Sequence, residues 1–179
     1  MGLIPKWRFG KENLMRRMSA GVDLVKIALF EYLSLKFVDG YGQEAADSLA
    51  AAVLNRLFCD EPTNAEAARF SDLNSDLVNS ELSNLKNEDE EIREAITQAL
   101  RMKWVVDSYR RSAPIDKAID MVDQAHTLGI LIPRGEFPSP ESFLRMASKF
   151  HDTCMSLMTT HQESALQNHS KQSQIPNER

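Results

Sequence analysis

The chain has 179 residues, a formal net charge of −5, 42% hydrophobic residues and two cysteines. This length suits one compact domain, and two cysteines are too few for the disulfide framework of a small secreted protein. The most apolar stretch, 24–38, contains three charged residues and is too short to cross a membrane. We find no secretory signal, and we therefore expect a soluble, cytoplasmic protein without a membrane span.

Charge is distributed unevenly along the chain. Residues 1–30 contain six Lys and Arg against two acids, residues 31–100 five against fifteen, and residues 101–179 ten against nine. The acidic middle argues against nucleic-acid binding by the whole surface, whereas the basic start provides a local patch for such a contact.

Glycine is absent between residues 43 and 128, and no β-branched run is bounded by turn residues. This pattern predicts an all-α fold, either a five- to six-helix bundle or an irregular antiparallel helical array. We expect residues 13–166 to form a single helical domain, residues 1–12 a basic N-terminal arm, and residues 167–179 a polar, disordered tail.

The first predicted helix covers about residues 13–38 and is apolar on more than one side. One stripe recurs at helical spacing, and it comprises Leu14, Met18, Val22, Val25, Leu29 and Leu33. From residue 24 a second face is apolar too, formed by Leu24, Ile27, Ala28, Phe30 and Leu35. A helix that is apolar nearly all round is usually central. Gly40 and Gly42 are expected to end it, with Gly in a left-handed cap.

Five further helices are predicted at about 43–58, 64–86, 87–111, 114–128 and 139–166. The helix at 64–86 has a narrow apolar stripe that includes Leu73 and Leu77 on a polar body, so it depends on contacts with the rest of the protein or with a partner chain. Asn87 is the predicted N-cap of the next helix, and Ser139 followed by Pro140 begins the last one.

The last predicted helix carries the sharpest candidate for a ligand site. His151, Cys154 and His161 fall on one side of it, together with two methionines, and His126 is the nearest further donor by residue type. Thiolate and imidazole suit a soft or borderline metal such as copper or zinc. The ordinary alternative is that the Cys and Met residues fill the core and that each His is a polar residue at its edge.

Glu31 is the second candidate, because it is the only acid within the apolar part of the first predicted helix. It is either a ligand or proton carrier, or, as is more usual for such a residue, it reaches the edge of the core or pairs with a base such as Lys26 or Lys36. No nucleophile motif, Cys-x-x-Cys or phosphate loop occurs in the sequence. We therefore predict no cofactor and no catalytic residues.

The basic start interleaves cations with aromatic residues, a pattern that suits an acidic partner surface, nucleic-acid bases or a membrane surface. The predicted partner-binding residues are Lys6, Trp7, Arg8, Phe9, Lys11, Arg16, Arg17, Leu73 and Leu77. The leading hypothesis is a non-catalytic protein–protein interaction module whose partner is a second copy of itself or another protein. The alternatives are a helical protein with a small-molecule or metal pocket along the last helix, and a protein that contacts nucleic acid through the basic arm.

Overall fold

In a computed structural model of the protein, the structure describes residues 6–58, 60, 63–65, 73–110 and 139–172. These residues form five α-helices and no strand, so the predicted all-α class is confirmed. The helices are α1 (Lys6–Tyr41), α2 (Gln43–Leu57), α3 (Ser75–Asn84), α4 (Glu90–Arg110) and α5 (Pro140–Gln172), with a 3₁₀ turn (Leu85–Asn87) between α3 and α4.

Helix α1 is the central element and contacts α2, α4 and α5. Its predicted stripe is buried from Met18 to Leu33, with Val25 and Leu29 at 0% exposure. Helix α2 packs against the same side through small residues such as Ala46 and Ala50, both fully buried. The stripe of apolar residues therefore determines which side of α1 faces the core.

Helix α5 runs parallel to α1, whereas α2 folds back antiparallel. Gly21 of α1 lies against Phe143 of α5, and eleven residues further along both helices, Tyr32 lies within electrostatic reach of Cys154. The array is consequently not antiparallel throughout.

Gly21 is the point of closest approach between α1 and α5. A Cβ atom at this position would lie 2.8 Å from Cε1 of Phe143 and 3.0 Å from Cδ2 of Leu144. Because Phe143 is fully buried, its ring has little room to move. The absence of a side chain at Gly21 thus allows the two helices to pack closely.

The turn between α1 and α2 is tight and depends on Gly42. This residue has φ 82° and ψ 163°, a backbone conformation that residues with a side chain rarely adopt. Its N–H donates to the Val38 carbonyl at 2.9 Å, and its carbonyl accepts from the Ala46 N–H. The φ is positive, as expected for a glycine at the end of the first helix, but the ψ of 163° lies outside the left-handed helical region of the predicted cap.

Several helix bounds differ from those predicted. Helix α1 begins at Lys6, so residues 6–12 continue the helix, and α5 extends to Gln172. Within the predicted helix at 64–86, residues 64 and 65 are helical and Leu73 and Asn74 are not; α3 begins at Ser75, where the Asn74 side chain accepts a hydrogen bond from the Asp76 N–H at 2.8 Å and caps it. The predicted helix at 114–128 lies outside the described residues.

Asn87 is not the N-cap of α4, contrary to prediction. It ends the 3₁₀ turn, which buries Leu85, and α4 begins three residues later at Glu90. The cap of α5 is as predicted, since the Ser139 hydroxyl accepts from the Ser142 N–H at 3.2 Å. Within the described ranges, no helix has the length and apolar character needed to cross a membrane.

Candidate interaction surface

One side of the central helix α1 is only partly covered by the described residues, although Leu24 on this side still packs against the core. We define the open strip as Arg17, Ala20, Leu24, Ile27 and Glu31, which follow one another at spacings of three and four residues and share one face. Ile27 is 50% exposed, Arg17 and Ala20 are exposed, and Leu24 and Glu31 are half-buried. The second apolar face of the sequence is therefore only partly covered by the protein itself.

Glu31 lacks both of the predicted ion-pair partners. Lys26 instead binds the carboxylate of Asp60, and Lys36 binds the carboxylate of Glu88. Among the described residues, Glu31 has no hydrogen bond or ion pair of its own. Of the two ordinary alternatives, an ion pair with Lys26 or Lys36 is not formed, because both lysines meet acids from other parts of the chain, and Glu31 lies half-buried at the edge of the core.

Glu88 ties the start of α4 to α1. Its side chain is only 7% exposed, and it accepts a hydrogen bond of 2.7 Å from the Tyr32 hydroxyl. Burial, followed by the bond and charge of Glu88, raises the pKa of Tyr32 above its ordinary value, so the phenol keeps its proton as a donor. This contact is structural.

A second charge network joins α1, α4 and the residue that follows α2. The Lys103 amine lies 3.2 Å from Oδ1 of Asp60 and 3.4 Å from Oδ2 of Asp107, while Lys26 binds the other Asp60 oxygen. Burial alone lowers the pKa of Lys103, but the two carboxylates outweigh it and raise the pKa. The Lys103 amine therefore stays charged, and its ion pairs help to hold the helices together.

Of the four predicted metal-binding residues, the structure describes the side chains of His151 and Cys154. Cys154 is 3% exposed, and burial raises the pKa of its thiol to about 11. His151 is half-buried, with Nδ1 3.7 Å from Oδ1 of Asp152. His126 and the side chain of His161 lie outside the description.

No three His, Cys, Asp or Glu side chains converge on a point suited to a metal ion, within the residues that the structure describes. The metal site consequently stays a prediction.

The predicted partner-binding residues fall into three groups. The first turns of α1 place the basic and aromatic residues on a helix, although their side chains are not described, and these residues are Lys6, Trp7, Arg8, Phe9 and Lys11. Arg16 and Arg17 are exposed further along α1. Leu73 and Leu77 are half-buried and pack against the protein's own core. Their role in partner binding stays a prediction.

A small cleft lies beside α2 and α3, with a volume of about 210 Å³. Asn55, Arg56, Asp60 and Leu73 are among the residues that line it, and the buried Nδ2 of Asn55 has no hydrogen-bond partner in the described structure. Ligand pockets usually enclose about 300–1,000 Å³. The cleft is therefore a weaker candidate than the open strip.

Helix α5 also exposes apolar side chains. Its buried stripe ends at Cys154, after which Leu157 is 50% exposed and Leu166 is 70% exposed. These two leucines are nine residues apart and lie singly, which is normal for a protein surface. They form no strip comparable to the one on α1.

No protein-family model, curated protein or solved structure matches this chain. The surface chemistry described above is consequently the basis for any assignment of function.

Proposed function

We propose that this protein is a helical protein–protein interaction module, without catalytic activity of its own, that associates with itself through the open strip of α1. The main observation that supports the proposal is the exposure of Ile27, which is 50% exposed in the middle of the central helix. We further propose that it works in the cytoplasm, where a free thiol such as Cys154 stays reduced.

The physical reason lies in the continuity of the strip. A single exposed apolar residue is normal on a protein surface, but adjoining apolar residues on one rigid helix form a patch of the kind found at binding sites. Ala20, Leu24 and Ile27 are such neighbours, each one turn from the next. Covering them removes apolar surface from water, and each Å² that is buried contributes about 25 cal/mol of favourable free energy. This contribution favours association.

Glu31 indicates what a binding partner supplies. A half-buried carboxylate at the edge of an apolar strip is desolvated further when the strip is covered, and this is costly unless a cation pairs with it. Since Lys26 and Lys36 are engaged with Asp60 and Glu88, the protein offers no cation from its neighbouring turns. A suitable partner surface therefore combines apolar side chains with a positive charge.

The alternative functions have less support. A metal pocket on α5 requires several donors at one point, and within the described residues no three His, Cys, Asp or Glu side chains converge. Nucleic-acid contact through the basic start depends on side chains that lie outside the described residues.

Sedimentation velocity of the purified full chain tests the proposal. Concentrations from about 1 to 300 μM bracket the micromolar affinity expected for a small interface. We expect the wild-type protein to associate as concentration rises, and Ile27→Asp to remain monomeric with an unchanged circular dichroism spectrum. Leu166→Asp is the matched control, because it places the same charge on an exposed apolar site outside the strip, and it should associate like the wild type. A wild-type protein that stays monomeric throughout, or equal association of Ile27→Asp and the wild type, would overturn the proposal.

A further inference from the structure

We propose that the open strip binds the α1 helix of a second copy in an antiparallel arrangement, across a two-fold axis that passes near Leu24. This inference rests on the proposed function, and it adds the geometry and the charge pairs that select the partner. It follows from the order of residues along the strip.

Arg17 and Glu31 stand seven residues before and seven residues after Leu24 on the same face of α1. A two-fold axis through Leu24 places each residue opposite the one that lies equally far on the other side. Arg17 of one copy therefore meets Glu31 of the second copy, and the reverse pair forms at the other end. The strip is complementary to itself, as an isologous dimer interface requires.

Both charged groups are available for this pairing. Neither Arg17 nor Glu31 has a hydrogen bond or an ion pair within the described part of the chain. A parallel, in-register arrangement would bring Arg17 against Arg17 and Glu31 against Glu31, and such like-charge contacts are unfavourable. Charge therefore selects the antiparallel orientation.

The middle of the strip is suited to close packing of two helices. Leu24 meets Leu24 of the second copy at the axis. Ile27, three residues after Leu24, lies opposite the small, exposed Ala20 of the second copy, which leaves room for its branched side chain. The apolar contact is thus central, and the charge pairs lie at its ends, the usual arrangement of protein interfaces.

The strip also sets the expected strength of the dimer. The fifteen residues from Arg17 to Glu31 span about 21 Å of helix. One helix face of this length covers less than the roughly 800 Å² per partner of a standard interface. A reversible dimer with a dissociation constant in the micromolar range is consequently expected, and its closed symmetry stops growth at two copies.

Charge reversal tests the geometry directly. In Arg17→Glu, each new Glu faces Glu31 of the second copy, and in Glu31→Arg each new Arg faces Arg17. We expect each single variant to weaken the dimer roughly 10- to 100-fold. A 1:1 mixture of the two variants forms a heterodimer in which both pairs are again attractive, so its affinity should return to within about threefold of the wild type. Lys149→Glu, which makes the same change in net charge at an exposed residue of α5, away from the strip, should change the affinity less than threefold.

The measurement is sedimentation velocity with one variant carrying an absorbing label, so that heterodimers are distinguished from homodimers. Recovery in the mixture, without recovery for either variant alone, supports the antiparallel pair. If both single variants weaken the dimer and the mixture fails to recover, the geometry is wrong. If neither variant changes the affinity while Ile27→Asp still abolishes association, the inference fails and the proposed function stands. Only a wild-type protein that never associates would overturn both the antiparallel geometry and the proposed function.

Discussion

Gly21→Ala is expected to destabilise the protein although it improves helix propensity. Replacing Gly by Ala within a helix is ordinarily favourable by about 0.8–1 kcal/mol. Here the new methyl carbon would lie 2.8 Å from Phe143 and 3.0 Å from Leu144, and overpacking of this kind costs about 1–3 kcal/mol. Since the Phe143 ring is fully buried, we expect a steric cost in the upper part of this range, about 2–3 kcal/mol, and hence a net loss of about 1–2 kcal/mol in the free energy of unfolding.

Gly40→Ala is the matched control in the same helix. No atom lies within 4 Å of a Cβ placed there, so only the propensity gain applies and the protein should become more stable by about 0.5–1 kcal/mol. Urea denaturation followed by circular dichroism measures both changes. By the usual scaling for a chain of this size, the midpoint of thermal unfolding should fall by about 2–8 °C for Gly21→Ala and rise for Gly40→Ala.

A double-mutant cycle separates the steric cost from other effects. In a Phe143→Leu background the ring that meets the new methyl group is gone, so Gly21→Ala should cost clearly less than in the wild type. Stabilisation by Gly21→Ala in the wild-type background would refute the close packing of α1 and α5, and an unchanged cost in the Phe143→Leu background would refute the assignment of the clash to that ring.

Three further predictions concern single side chains. Gly42→Ala should lower the free energy of unfolding by about 1–3 kcal/mol in urea titrations, because a φ of 82° strains a residue with a Cβ. Burial raises the pKa of the Cys154 thiol from 9.0 to about 11. The protonated thiol's contribution to stability is therefore complete below pH 9 and is lost as the pH rises to 11. Cys154→Ala should flatten the pH dependence of the free energy of unfolding between these two values. Asp60→Ala removes the counterion of Lys26 and Lys103 and should cost about 1–3 kcal/mol, partly recovered by added salt, whereas no salt-dependent difference from the wild type would contradict the network.

The parts of the fold that depend on local patterns were predictable from the sequence. The buried stripe of α1 follows from apolar residues at helical spacing, and the start of α5 follows from Ser139 and Pro140. Each of these signals is contained within a few turns of the chain, where helix geometry fixes which residues are neighbours.

The parts that depend on distant residues were not predictable. Glu88 resembles one of four acids at a helix start, but its side chain bonds to Tyr32, 56 residues earlier. Asp60 likewise pairs with Lys103, far along the chain. Sequence patterns identify charged residues but not which of them meet, because that depends on how helices are arranged in space. For the same reason the sequence left open whether Glu31 pairs with Lys26 or Lys36 or reaches the edge of the core.

These distant pairs also explain why the open strip is suited to a second copy. Lys26 and Lys36 are the cations nearest to Glu31 in sequence, and each is held by an acid that joins α1 to another part of the chain. If either lysine paired with Glu31 instead, Asp60 or Glu88 would lose its cation. Because Glu88 is almost fully buried, such a change of ion-pair partner is unfavourable. The contacts that hold the bundle together thus leave one carboxylate to be neutralised from outside. Arg17, two turns on the other side of Leu24, is the cation that a second copy presents at that place.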